Sequence, residues 1–165
     1  MKRQEVRELA FKALFANDIE STDPIRHLDY ILGDGEMAQG KEGGSEPSLS
    51  ASDREYAVRL ITGVCTNKAE LDALITNYSL DWQTERLGGA ERSILRIGFY
   101  EMLYDEKLPP AIAINVALEL AKKYCAQEAA GFVNGILGKK AEEMKELVKQ
   151  PGGSPDARDK ETQGL

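Results

Sequence analysis

The chain has 165 residues, of which 42% are hydrophobic and 30% charged, and its formal net charge is −7. This size and composition predict one globular unit with a substantial core, and no segment carries the ~20 apolar residues that span a bilayer, so a soluble cytoplasmic protein is expected. Cys65 and Cys125 lie in apolar helical patterns without metal-site or redox-motif spacing, which predicts two buried thiols and neither a disulfide nor a metal.

Apolar residues recur at helical spacing from the amino terminus. The pattern predicts an amphipathic first helix over residues 3–18. Asp23 and Pro24 predict the start of a second helix, because aspartate caps helices and proline fits their first position. Residues 33–51 are rich in glycine, serine and acidic side chains, and they have too few apolar groups to offset the entropy of ordering. We expect a flexible acidic loop there.

The segment after this loop predicts one long helix of ~25 residues, ending near Tyr78. Ser52 and Glu55 form the pattern of a capping box at its start. Gly63 lies inside it and costs ~1 kcal/mol relative to alanine, which favours a position where another helix crosses closely.

Three further helices follow in the apolar pattern. Residues 91–104 are apolar almost all round, which is typical of a helix at the centre of a bundle. Pro110 opens another helix that runs to Tyr124, and a last helix covers about residues 129–148. The sequence therefore predicts an all-α fold with a single helical domain over residues 1–149, and a disordered tail over residues 150–165.

No catalytic constellation is visible in the sequence. His27 is the only histidine and lies in an ordinary helix, so acid–base or nucleophile schemes built on histidine have no supporting partner. The glycine-rich motifs that cradle phosphates in nucleotide-binding folds are absent. A protein that binds partners, without enzymatic activity and without a cofactor, is the expected class.

Three groups of segments, in the same order and at similar spacing, resemble the NusB family over about residues 3–140. They are RELAFKALF at Arg7–Phe15 behind a basic amino terminus, then Glu85-Arg86-Leu87 with ERSILRIGFYEML at Glu91–Leu103, and finally INVALELAKKY at Ile114–Tyr124 with GFVNGILGK at Gly131–Lys139. One such segment alone would be weak, whereas three in series over most of a short chain are specific.

The resemblance implies both a fold and a function. The implied fold is a NusB-like helical bundle, with two packed three-helix bundles and short extra turns. The implied function is transcription antitermination: binding of boxA-containing RNA together with NusE, a protein of the small ribosomal subunit, within the RNA polymerase antitermination complex, so that ribosomal RNA transcripts are completed. Some members form homodimers that cover the RNA surface, and the sequence leaves monomer and homodimer open.

The basic start of the chain is the candidate RNA surface. Arg3 and Arg7 are four residues apart and share one helix face, where they could reach phosphates or pair with nearby acids such as Glu8. The resemblance favours RNA. It also places two aromatic residues beside the RNA path, and two lysines at a helix end could extend the patch or simply suit the helix dipole. The full set of predicted RNA contacts is Lys2, Arg3, Arg7, Phe15, Lys122, Lys123 and Phe132.

The resemblance also implies a protein-binding surface. Tyr78, Glu85 and Glu91 match positions that face the partner, and carboxylates there would suit a basic ribosomal protein. Ordinary solvated helix surface is the alternative for these residues. Two rival functions stay open: a protein-only helical adaptor whose RNA surface has decayed, since Gln4 and Glu5 interrupt the arginine run, and an RNA-recruiting domain of a ribosomal RNA methyltransferase.

Overall fold

A computed structural model of the protein describes residues 2–33, 49–80 and 87–149, and in these ranges the regular structure is helical. The helices are α1 (Arg3–Ile19), α2 (Pro24–Ile31), α3 (Ala51–Thr66), α4 (Lys68–Tyr78), α5 (Gly89–Tyr104), α6 (Pro110–Tyr124) and α7 (Ala129–Lys149). The all-α prediction is confirmed. Most of the predicted acidic loop, residues 34–48, and the predicted tail, residues 150–165, lie outside the described residues, so the predicted domain boundaries stay predictions.

Helices α1, α2 and α3 pack against one another and form the first helix group. Val6, Ala10 and Leu28 are fully buried between them, as the apolar stripe of α1 and α2 predicts. Helix α2 begins as expected: the backbone N–H of Ile25 donates to Asp23 Oδ1 at 3.0 Å, and Pro24 occupies the first helical position.

Helix α3 begins two residues earlier than the sequence predicted. Its cap is Ser50, whose hydroxyl oxygen accepts a hydrogen bond from the backbone N–H of Asp53 at 3.0 Å. The predicted capping box of Ser52 and Glu55 is therefore wrong, because Ser52 already lies inside the helix. Two serines in the same stretch satisfy the cap preference equally well, so the local sequence does not distinguish them.

Replacing Ser50 by alanine is expected to lower the free energy of unfolding by ~1 kcal/mol, because the Asp53 N–H loses its acceptor at the helix start. Ser52→Ala in the same protein is the matched control and is expected to change little, since alanine suits the first turn. Denaturant unfolding of both variants measures the difference. A larger loss for Ser52→Ala would restore the capping box that the sequence suggested.

The long helix predicted up to Tyr78 is two helices, α3 and α4, separated at Asn67. The side-chain amide of Asn67 donates to the carbonyl of Gly63 at 2.8 Å, and its backbone angles, φ −101° and ψ 15°, leave the helical region. A short amide side chain offers the backbone a partner that competes with the helical ladder. The prediction of a close crossing at Gly63 is confirmed, because a Cβ there would lie 2.2 Å from Tyr100 Cζ of α5.

Helix α5 lies at the centre of the second group, where it contacts α4, α6 and α7, and it also packs on α1 and α3. Ile94, Leu95, Ile97 and Phe99 have no exposed surface, which confirms the prediction of a central helix. Two packed helix groups are therefore present, as the fold prediction states, and the break at Asn67 adds α4 to the second of them.

The prediction of two buried thiols is wrong for Cys65, which is exposed and is not a core residue. Cys65 directly follows the buried Val64 and therefore lies on a different face of α3. Cys125 is half-buried and packs partly against the core. The described residues hold no cluster of side chains suited to a metal ion. None of their helices combines the length and apolar character needed to cross a membrane.

Candidate nucleic-acid interface

Arg7 lies in the interior of the protein, with 2% of its surface exposed. Its Nε donates to Glu101 Oε1 at 2.5 Å and one terminal nitrogen to Glu101 Oε2 at 3.0 Å, while the other donates to the Gln4 side chain at 2.6 Å. The predicted exposed face shared by Arg3 and Arg7 is therefore wrong. Arg7 faces a carboxylate of α5 that the sequence could not place opposite it, and its burial keeps the guanidinium away from a phosphate at the surface.

Tyr56 completes this buried cluster. Its hydroxyl donates to Glu101 Oε2 at 2.7 Å, so the carboxylate is held by both an arginine and a tyrosine. Burial, and then the nearby negative charge of Glu101, raise the pKa of the Tyr56 phenol, which therefore stays protonated as a donor. The cluster ties α1, α3 and α5 together beneath the amino terminus.

The exposed Arg3 lies above the same tyrosine. Its guanidinium carbon is 4.0 Å from the centre of the Tyr56 ring, within the range of a cation–π contact. Lys2, which precedes α1, is also exposed. These two exposed residues supply the positive charge at the amino terminus that the sequence predicts to bind RNA.

A second basic region lies where α1 meets the end of α6. The Nζ of Lys123 is 2.7 Å from Glu8 Oε1, and the hydroxyl of Tyr124 donates a hydrogen bond to the same oxygen. Lys12 and Lys123 both approach the Tyr124 ring, at 5.9 and 5.7 Å from its centre. Lys12, Lys122, Lys123 and Tyr124 are here called the α1–α6 strip. Lys12 was not among the predicted contacts, although its place one turn after Glu8 was visible in the sequence.

Lys122 has weaker ties than its neighbour. Its Nζ lies 3.8 Å from Glu119 Oε1, and both side chains are more than 60% exposed. An exposed pair of this kind contributes little to stability and yields easily to another anion. Among the predicted cations that form an ion pair in the described residues, Lys122 is therefore the least restrained.

The predicted aromatic residues, Phe15 and Phe132, are half-buried. Phe15 stacks on Phe11 with ring centres 6.1 Å apart, and Phe11 in turn packs on Tyr124 at 4.9 Å. This aromatic row leads from Phe15 to the α1–α6 strip. Phe132, on α7, also packs partly against the core.

The residues predicted to face a protein partner differ in their surroundings. Tyr78 is 7% exposed, donates to Glu143 of α7, and contacts Phe99, so it joins α4 to α7 within the chain. Burial, followed by the Glu143 hydrogen bond, raises the pKa of Tyr78 to about 12. The structure thus places this tyrosine inside and not on an open surface. Glu85 lies outside the described residues.

Glu91 lies in the first turn of α5, where a negative charge suits the helix dipole. Burial, and then the negative charge of Glu91, raise the pKa of the Cys125 thiol at the end of α6 to about 12. Phe15 lies against Gly89 of the same first turn. The start of α5 therefore brings a predicted partner contact, Glu91, close to a predicted RNA contact, Phe15.

Comparisons with known proteins agree with this architecture. The model of the NusB family matches residues 4–142. The transcription antitermination protein NusB of Symbiobacterium thermophilum is 37% identical over 150 residues, covering 88% of this chain and 92% of that protein. The NusB of Ruminiclostridium cellulolyticum is also 37% identical, over 139 residues, 84% of this chain and 88% of the relative.

Solved structures show the same fold. NusB from T. maritima superposes with a TM-score of 0.73 at 31% identity, covering 87% of this chain and 92% of that one. A NusB solved with NusE and double-stranded RNA gives a TM-score of 0.67 at 24% identity, covering 86% of this chain and 96% of that one, which supports the shared fold.

These relatives are transcription antitermination proteins matched over most of their own length, not methyltransferases, and antitermination proteins of this kind are not enzymes. The expectation of a non-enzymatic protein is thereby confirmed, and the methyltransferase alternative is not supported. The matched residues, 4–142, cover helices α1 to α6 almost completely and the first two thirds of α7. The chain belongs to the NusB family.

Proposed function

We propose that this protein is a transcription antitermination factor that binds boxA-containing RNA together with NusE and supports read-through of ribosomal RNA transcripts by RNA polymerase. Membership of the NusB family and the names of its relatives support this function. A factor that binds RNA during bacterial transcription would act in the cytoplasm, and we propose this location for the protein.

The single observation that carries the RNA assignment is the α1–α6 strip beside the aromatic row. Cations that bind phosphates and aromatic faces that stack on bases are the two elements by which proteins hold single-stranded RNA. Here Lys12 and Lys123 approach Tyr124 within 6 Å, and Phe15 continues the row. A net charge of −7 does not oppose binding, because charges act over roughly a Debye length of ~8–10 Å.

The assignment of residues follows their exposure. The proposed RNA contacts are Lys2, Arg3, Lys12, Phe15, Lys122, Lys123 and Phe132. Arg7 is removed from this group because its guanidinium is buried against Glu101. Glu85 and Glu91 are proposed to face NusE, and the nearness of Glu91 to Phe15 would let the RNA and protein partners share one end of the molecule.

The test is a titration with boxA RNA and scrambled RNA, with and without NusE, at several salt concentrations. Arg3→Ala and Lys122→Ala are each expected to weaken RNA binding, and to reduce the slope of log affinity against log salt by about 0.7 if each loses one phosphate contact on a single strand. Folding should change little, because both side chains are exposed.

Arg26→Ala is the matched control, since Arg26 is an exposed arginine on α2, a helix that packs on α1 and α3. It should leave affinity and salt slope unchanged. Equal affinity of the parent protein for boxA and scrambled RNA, with NusE present, would contradict the proposal. NusE binding with no RNA binding under any condition would favour the protein-only adaptor.

A further inference from the structure

Glu8 lies inside the α1–α6 strip, and its carboxylate is already paired with a cation that the proposed function assigns to RNA. The Nζ of Lys123 is 2.7 Å from Glu8 Oε1, and the hydroxyl of Tyr124 donates to the same oxygen. Only 18% of the Glu8 side chain is exposed, against 61% for Lys123. The acid is thus fixed in place, while the lysine that pairs with it is free to turn outward.

We propose that Glu8 sets the RNA affinity of this protein, because its carboxylate competes with an RNA phosphate for Lys123. This inference rests on the proposed function and adds a regulatory residue to the same site. In the free protein Glu8 cancels one of the two positive charges of Lys12 and Lys123 around Tyr124. A phosphate that binds there displaces the carboxylate from Lys123 and still meets its negative charge a few ångströms away.

The surroundings of Glu8 keep this charge in place. Partial burial acts to raise the pKa of Glu8, but the hydrogen bonds from Lys123 and Tyr124 and the positive charges of Lys123 and Lys12 outweigh it and hold the pKa below the ordinary 4.5. The carboxylate is therefore ionised under the conditions in which RNA is bound. When Lys123 turns to a phosphate, Tyr124 still holds Glu8 beneath it.

The decisive variant is Glu8→Gln, which removes the charge and keeps the side-chain shape and an oxygen that accepts from Tyr124. RNA affinity at low salt is expected to rise roughly fivefold, the effect of one unit charge ~4 Å away in water. The salt slope should steepen by up to about 0.7. The gain should be the same factor for boxA and scrambled RNA, because phosphate contacts carry no sequence information.

Glu70→Gln is the matched control. Glu70 is also a glutamate whose carboxylate accepts from a tyrosine hydroxyl, that of Tyr104 at 2.9 Å, but it lies on α4. The charge change is identical, so a gain that came only from net charge would appear in both variants. In a Lys123→Ala background, Glu8→Gln should increase RNA affinity much less, because the lysine for which Glu8 and the phosphate compete is absent.

Unchanged or weaker RNA binding by folded Glu8→Gln would overturn this inference, and so would an equal gain in Glu70→Gln. Denaturant unfolding shows whether Glu8→Gln is folded. If the Glu8→Gln variant does not fold, Lys123→Ala is the alternative test. Lys123→Ala should weaken RNA binding less than Lys122→Ala does, because Glu8 already neutralises Lys123. A larger loss of RNA affinity for Lys123→Ala overturns the inference. If the Glu8 and Lys123 variants do not behave as expected but Arg3→Ala still weakens boxA binding, the proposed function stands without a role for Glu8. If the parent protein does not prefer boxA RNA over scrambled RNA, both the proposed function and the role of Glu8 are contradicted.

Discussion

Replacing Arg7 by alanine is expected to lower the free energy of unfolding by about 3–5 kcal/mol. The change leaves Glu101, 2% exposed, as an uncompensated buried carboxylate, and removal of one partner of a buried ion pair has this cost. The Tyr56 hydroxyl, 2.7 Å from Glu101 Oε2, can offset only part of it. Denaturant unfolding with the slope and midpoint both recorded measures the effect.

Arg3→Ala is the control for this experiment. It removes the same type of side chain from the same helix, but the arginine is exposed and touches Tyr56 only through a cation–π contact, worth ~0.5–1 kcal/mol at such a site. If Arg7→Ala cost no more than Arg3→Ala, the buried pair with Glu101 would not hold α1 to α5. Any loss of RNA binding by Arg7→Ala should follow the fraction of unfolded protein.

Replacing Arg96 by alanine should have the next largest effect, about 2–3 kcal/mol. Arg96 of α5 donates to both oxygens of Asp72 in α4, at 2.7 and 3.2 Å, and to Asp18 in α1 at 3.0 Å, so one guanidinium joins the two helix groups. The arginine side chain is 8% exposed, but its partners are 35% and 26% exposed, and water compensates them in part when the arginine is lost.

Two further variants separate geometry from charge. Arg96→Lys keeps the charge but loses the planar fork that reaches both aspartates, so most of the loss should remain. Arg54→Ala breaks a pair of equal length, 2.7 Å to Asp29, in which both side chains are about 40% exposed, and it should cost only ~0.2–1 kcal/mol. Equal losses for Arg96→Ala and Arg54→Ala would show that burial does not strengthen the Arg96 contacts.

The sequence could predict much of the fold because its signals are local. Asp23 with Pro24, and Pro110 at the start of α6, act through the first turn of their own helices, and both helices begin where these residues predict. The nearly continuous apolar character of residues 91–104 placed α5 at the centre correctly, since a helix without a polar face must be surrounded. The resemblance to the NusB family rests on the same segments.

Local signals failed where two choices were locally equal. Ser50 and Ser52 are both good caps, and the local sequence does not show that Ser50 is the one used. Asn67 is an ordinary residue within a helical pattern, yet its side chain bonds to the Gly63 carbonyl and separates α3 from α4. Both helices then contact α5.

By itself, the sequence determined the all-α fold, the position of most helices, the family and a basic amino terminus. Only the tertiary structure decided which charges remain available. Arg3 and Arg7 share a helix face, but Glu101, 94 residues away, makes Arg7 an interior residue and leaves Arg3 exposed. Glu8 likewise pairs with Lys123 across 115 residues. Helical spacing fixes the face on which a side chain lies, whereas the charge it meets there depends on how distant helices pack.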